Sequence, residues 1–204
     1  MRLVRLTACI AIAFLGGQAL AADPVQSPEV VKDKAQVLEH KVADKEGAVP
    51  KAATITKAEA QVVDPAGEAS VNDTLTCLSR TIYWEAKGGN AQDMSAVANV
   101  VLNRLGHDGF PSTICEVVKE GQSKKACQFS WWCDGRSDDV EEPERYDIAK
   151  EIARKALNQQ LPDNTGGAMY FHDRNVSPAW VKQYIETAHT DKFLFYKPHD
   201  GKAK

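Results

Sequence analysis

The chain has 204 residues, 43% of them hydrophobic, which is enough for one domain with a sizeable core. Its formal net charge of −3 leaves no basic footprint, so no nucleic-acid partner is expected.

The chain opens in the form of a secretory signal. Arg2 and Arg5 supply the positive start, and residues 6–15 are an apolar run interrupted only by Thr7. Ala19-Leu20-Ala21 is a small-x-small cleavage site just before Asp23-Pro24. The run is too short to stay in a bilayer, which takes roughly 20 residues. Residues 1–21 therefore read as a signal peptide, with no stable membrane span after its removal. Leu6-Thr7-Ala8-Cys9 has the composition of a lipoprotein processing box, but it precedes most of the apolar core it should follow.

Residues 22–72 read as a disordered tether. Apart from Phe14, every Phe, Tyr and Trp lies at or beyond Tyr83, so this stretch lacks large groups to bury against its ordering entropy. Residues 30–42 could form a transient helix. As a coil of about 50 residues the segment would span roughly 40 Å.

Residues 73–204 read as the single folded domain. A helix opens at 72–74, carries Leu75, Leu78 and Ile82 on one stripe, and stops at Gly88-Gly89. Asn90 caps a second helix with Asp93 at the capping-box position, and Met94, Val97, Ala98, Val101, Leu102 and Leu105 follow at helical spacing. Residues 111–119 suggest a short third helix, and 122–139 an irregular loop with room for one short strand. Residues 143–158 form another helix. Residues 168–172 and 193–196 are apolar and aromatic enough for strands, with a helix start at Ser177-Pro178 between them. The expected class is α+β, mainly helical with a small antiparallel sheet.

Once Cys9 leaves with the signal, Cys77, Cys115, Cys127 and Cys133 remain. An even count in an exported chain reads as disulfides with three possible pairings. A four-thiolate zinc site is the alternative, but paired C-x-x-C knuckles are missing. Closeness along the chain favours Cys127–Cys133 and Cys77–Cys115.

One carboxylate is out of place. Glu85 lies three residues after Ile82 and seven after Leu78, so it continues the apolar stripe. It also sits in the last turn of its helix. Burial and the negative helix end both disfavour its charged form, which would let it donate a proton near neutral pH. The bland alternative is an ion pair with Arg80 or Lys87.

The words around Glu85 resemble the SleB/CwlJ-type cell-wall hydrolases. They are Thr81-Ile82-Tyr83-Trp84-Glu85-Ala86-Lys87-Gly88, Ala96-Val97-Ala98-Asn99-Val100-Val101-Leu102-Asn103-Arg104 and Phe110-Pro111-Ser112-Thr113-Ile114. Cys127-Gln128-Phe129-Ser130-Trp131 with Asp134-Gly135, and Thr165-Gly166-Gly167-Ala168-Met169-Tyr170-Phe171-His172, complete the likeness, in the right order over most of 74–196. The resemblance implies a lysozyme-like, transglycosylase-like helical domain that cleaves peptidoglycan, with Glu85 as its essential acid and no cofactor or metal. With the signal peptide, this makes the expected protein periplasmic and cell-wall associated, with the glycan strand as its partner. Two departures stand out: many members carry a second Glu where this chain has Gly89, and a His where it has Phe193.

A hydrolase usually needs two carboxyl groups, whereas a lytic transglycosylase can work with one. A single evident acid therefore favours a transglycosylase, or else a muramidase, cutting between N-acetylmuramic acid and N-acetylglucosamine. For the sugar groove, flat faces and hydrogen-bonding groups point to Gln128, Ser130, Trp131, Trp132, Tyr170, His172 and Trp180. Asn103 and Arg104 read as structural, with Arg104 at the negative end of its helix. Two alternatives come from other classes. One is a zinc amidase drawing on His107, His172 and His189, which lack an H-E-x-x-H spacing. The other is a wall-binding module without catalysis.

Overall fold

The computed structural model describes residues 25–122 and 127–199. The expected signal peptide lies outside the described residues. In chain order the elements are helices α1 (Pro28–Ala43), α2 (Lys57–Val62), α3 (Thr74–Glu85), α4 (Ala91–Arg104), α5 (Ile114–Val118) and α6 (Pro143–Leu157), then strands β1 (Tyr170–Asp173), β2 (Tyr184–His189) and β3 (Phe193–Pro198). Among the described residues the class is thus mainly helical with one small antiparallel sheet, as expected.

Helix α3 is the centre of the molecule. Ten of its twelve residues are buried, so it needs neighbours on every side. Helices α1, α4, α5 and α6 provide them. Asp73 starts α3 by accepting a hydrogen bond from the Thr76 N–H at 2.9 Å. Helix α4 opens on the expected capping box, with Asn90 and Asp93 satisfying each other's backbone donors. Helix α5 is shorter than its apolar pattern suggested, because Thr113 rather than Pro111 caps it. The loop before α6 contributes one 3-10 turn, Ser130–Trp132, and no strand among the described residues.

The sheet has the order β1-β3-β2, all antiparallel, with Phe171 opposite Phe195 and Glu186 opposite Tyr196. Phe193 and Phe195, two apart on the central strand, are buried at 3% and 0% exposure and pack into the core. Strand β2 was not expected. It is an edge strand with a register shift between Glu186 and Ala188 and a mostly wet surface, so it lacks a clean apolar alternation.

The tether expected over 22–72 is corrected. Its described part is folded onto the rest of the domain. Val31, Ala35 and Leu38 are buried at helical spacing on α1, and Ile55, Ala60 and Val63 are buried after it. Small aliphatic groups are enough here because α3 and α6 already offer a surface, and each Val or Leu buried adds about 1.5–3 kcal/mol. The polar contacts are equally specific. Asn158 at the end of α6 receives the Ile55 N–H and donates to the Ile55 carbonyl, both at 2.8 Å. Asp64 pairs with Arg80 of α3 at 2.8 Å and accepts the Tyr146 hydroxyl at 2.7 Å, all of it buried. The folded domain therefore begins near Pro28, not at 73.

Two disulfides are present, in the pairing that chain distance favoured. Cys77–Cys115 ties α3 to α5, and Cys127–Cys133 closes the loop that carries Gln128 to Trp132.

Candidate active site

Helix α3 delivers Glu85 as its last residue. Ala86 closes the helix by donating to the Ile82 carbonyl, and Gly88 turns the chain away with φ +81°. A side chain at Gly88 would be strained there. The carboxyl is therefore fixed at a point where one stripe of a buried helix reaches the surface.

Glu85 and Ser130 together border two cavities, of about 420 and 410 Å³. A third, of about 320 Å³, shares Gln128, Tyr170 and Trp180 with the second. Shared lining residues join the three into one trough, with Glu85 and Ser130 where the first meets the second. The arm beyond β1 is aromatic: Tyr170 lies 4.7 Å from Tyr184 and 6.2 Å from Trp180, ring centre to ring centre. The other arm is charged, walled by Trp84, Trp131, Asp134, Asp138 and Glu141.

The Glu85 carboxyl is pushed up to about 7, chiefly by burial. The backbone N–H groups of Ser130 and Trp131 and the positive charges of Arg104 and Lys192 act against this. Its Oε1 is buried without a hydrogen-bond partner. The alternative ion pair with Arg80 or Lys87 is absent among the described residues: Arg80 is taken by Asp64 and Lys87 by Glu141.

Of the candidate sugar-binding residues, Gln128, Ser130, Trp131, Tyr170, His172 and Trp180 all border the trough. His172 is held in place rather than free: Nδ1 contacts the Asp173 carbonyl at 2.9 Å and Nε2 the Tyr196 hydroxyl at 3.1 Å. Its ring stacks on Tyr196 at 5.3 Å. Trp132 borders none of the three cavities and packs against the core, with the Lys119 ammonium 4.5 Å from its ring.

The sequence assigns Arg104 a structural place, and gives Lys192, Glu120, Asp134 and Asp138 no role in the site. Arg104 had a sufficient explanation as a helix end, and the acids sat in what reads as ordinary loop. His107, His172 and His189 lie respectively after α4, on β1 and on β2. Among the described residues no three His, Cys, Asp or Glu side chains gather as a metal set.

Fold and site thus define a mainly helical protein with a reluctant carboxylic acid, Glu85, opening onto a long, partly aromatic trough. Residues 88–196 match the family described as Cell Wall Hydrolase, and the chain belongs to that family. The match begins three residues after Glu85. A spore cortex-lytic enzyme of Oceanobacillus iheyensis is 28% identical over 142 residues, 66% of this chain and 48% of that protein. One from Halalkalibacterium halodurans is 30% identical over 134 residues, 64% of this chain and 36% of that protein. The chain spans about half or less of the length of these relatives. Among solved structures, the catalytic domain of the Bacillus cereus SleB protein aligns over 61% of this chain and 89% of its own, at 25% identity and a TM-score of 0.48. The catalytic domain of the germination-specific lytic transglycosylase SleB from Bacillus anthracis aligns over 61% and 93%, with a TM-score of 0.49.

Proposed function

We propose that this protein cleaves the glycan strands of peptidoglycan between N-acetylmuramic acid and N-acetylglucosamine, with Glu85 as the proton donor. The carrying observation is a carboxyl with one buried, unpartnered oxygen, held half-protonated near neutral pH where two cavities meet. Family membership and the cortex-lytic activity in the relatives' names support the substrate class.

The Glu85 carboxylic acid gives its proton to the glycosidic oxygen as the bond from the muramic C1 breaks. The muramic C6 hydroxyl oxygen then bonds to C1, and its proton passes to the Glu85 carboxylate. The acid is regenerated and a 1,6-anhydro ring is left, with no water consumed. The aromatic arm would hold sugar faces on Tyr170 and Trp180, with Gln128 and Ser130 reading hydroxyl or amide groups. Export to the periplasm suits both the residues 1–21 and the two disulfides, which persist in oxidising compartments.

A second reading keeps the substrate and changes the product. Asp134 and Asp138 border the same cavity as Glu85, and burial and the neighbouring Asp134 raise the Asp138 carboxyl. The single-acid count read from the sequence is thus incomplete, and an acid–base pair activating water would make a muramidase. Digestion of purified peptidoglycan followed by mass analysis separates the readings. Anhydromuropeptides mark transglycosylation, and reducing-end muramic acid marks hydrolysis. Freed stem peptides would mean an amidase, and binding without any cut a wall-binding module. Glu85→Gln should abolish cutting while the fold stays intact; full activity in that variant would end the proposal.

A further inference from the structure

Arg104 is the last residue of α4, where a cation suits the negative helix end. Its side chain does not stay there. It is only 3% exposed, and its Nε donates to the Met169 carbonyl at 2.7 Å. The guanidinium lies 5.0 Å from the ring centre of Phe129, 5.3 Å from Phe110 and 5.5 Å from Tyr170. Its Nη1 is buried with no partner, and no carboxylate among the described residues forms a salt bridge with it. Burying a cation is expensive, and the charge of Glu120 offsets the cost most, followed by Tyr170 and Glu85 at the cavity. It borders the same 410 Å³ cavity as Glu85.

We infer that Arg104 is a positioning residue, the fixed cation that holds Glu85 as a carboxylate during the proton-accepting half of the cleavage. This rests on the reading of Glu85 as the acid. Once Glu85 has given up its proton, a negative charge sits on a largely buried carboxyl until the muramic hydroxyl returns one. A fixed positive charge across the cavity stabilises that interval without touching the glycan, because Coulomb attraction between largely buried groups is weakly screened. The arrangement lets one carboxyl act first as acid and then as base.

The other charged groups around Glu85 are less suited. From the turn before β3, the Lys192 ammonium is bound to the Lys87 carbonyl. Lys87 itself pairs with Glu141, and the exposed Arg136 lies 4.0 Å from Asp134. Asp138 on the loop, Glu120 after α5 and Asp173 on β1 carry the wrong sign, and Tyr170 and His172 of β1 complete the wall. Arg104 is lowered to about 10 by burial and therefore remains charged wherever Glu85 titrates.

The test follows the Glu85 carboxyl directly by carbon NMR on full-length protein, with Glu85→Gln identifying the signal. In Arg104→Met the Glu85 midpoint should rise by roughly one pH unit, and in Arg104→Lys it should stay near the wild-type value. The alkaline limb of wall cutting should move with it, kcat falling about tenfold and KM little changed. Should Arg104→Met fail to fold, the wild-type guanidinium signals of Arg104 carry the test. They should shift with the Glu85 midpoint and stay flat in Glu85→Gln. A folded Arg104→Met with an unmoved Glu85 midpoint, or guanidinium signals flat in the wild type, overturns the inference. Coupled titration in a protein that leaves peptidoglycan uncut would instead uphold the electrostatic pairing and remove the enzymatic reading of Glu85.

Discussion

Glu39 of α1 accepts a hydrogen bond from the Thr74 hydroxyl at 2.8 Å, and its other oxygen takes the Ile114 backbone N–H. A single buried carboxylate in the first helix thereby joins the starts of α3 and α5. Helix α3 ends in Glu85, so the N-terminal segment sets the frame from which the acid is presented.

That frame predicts a stability effect remote from the trough. Glu39→Ala leaves two buried donors unpaired, and each such loss costs about 1–3 kcal/mol. Urea unfolding should show a loss of roughly 2–6 kcal/mol with no change in cleavage products at a temperature where the variant stays folded. Unchanged stability would mean that α1 is docked by its aliphatic face alone.

The two disulfides should separate stability from activity. Cys77–Cys115 spans 38 residues and joins two core helices, so chain entropy assigns it about 4 kcal/mol. Cys127–Cys133 spans 6 and is worth about 2 kcal/mol on the same scale, yet its loop carries the Ser130 and Trp131 N–H groups at Glu85. Replacing Cys127 and Cys133 by Ser should reduce cutting far more than thermal stability. Replacing Cys77 and Cys115 should do the reverse. Equal activity losses at a temperature where both variants are folded would contradict this division.

The raised carboxyl of Glu85 also fixes a sign for pH. Its folded value, about 7, lies above the ordinary 4.5, so the folded state holds this proton more tightly than the unfolded chain. The associated stability is complete below about 4.5 and is lost as pH rises through 7. Glu85→Gln cannot ionise. Its melting temperature should therefore fall less than that of the wild type between pH 5 and pH 8. The wild-type cutting rate should decline above neutrality as the acid form disappears. A wild type no more pH-sensitive than the variant over this range would place Glu85 at an ordinary carboxylate value.

The helices α3, α4 and α6 were legible because each carries a regular apolar stripe and begins with a cap or a proline. Glu85 was legible for a related reason, since a charged residue on a buried stripe is an exception to the pattern. Helix α1 was not, because Val31, Ala35 and Leu38 form a narrow stripe whose worth depends on partners distant in sequence. The trough was only half visible. Its aromatic arm could be guessed from residue type, but the acids of the other arm look like any solvated loop. Arg104 is the clearest omission. Sequence places it at a helix end, and only the folded chain shows its guanidinium turned inward beneath three aromatic rings.

Adjacent tryptophans offer a final contrast, since Trp131 and Trp132 were read alike and the fold sends them different ways. Trp131 borders the charged arm of the trough, while Trp132 stacks with Lys119 away from it. Trp180, edge-on to both His172 and Tyr184, borders the aromatic arm. In a Glu85→Gln background, which leaves binding without turnover, Trp180→Ala should weaken retention on insoluble peptidoglycan by about tenfold. That corresponds to an aromatic contact of roughly 1.5 kcal/mol. Trp132→Leu should lower the melting temperature and leave retention unchanged. The opposite pattern, with retention following Trp132, would put the sugar-binding face on the outer side of the Cys127–Cys133 loop and away from Tyr170.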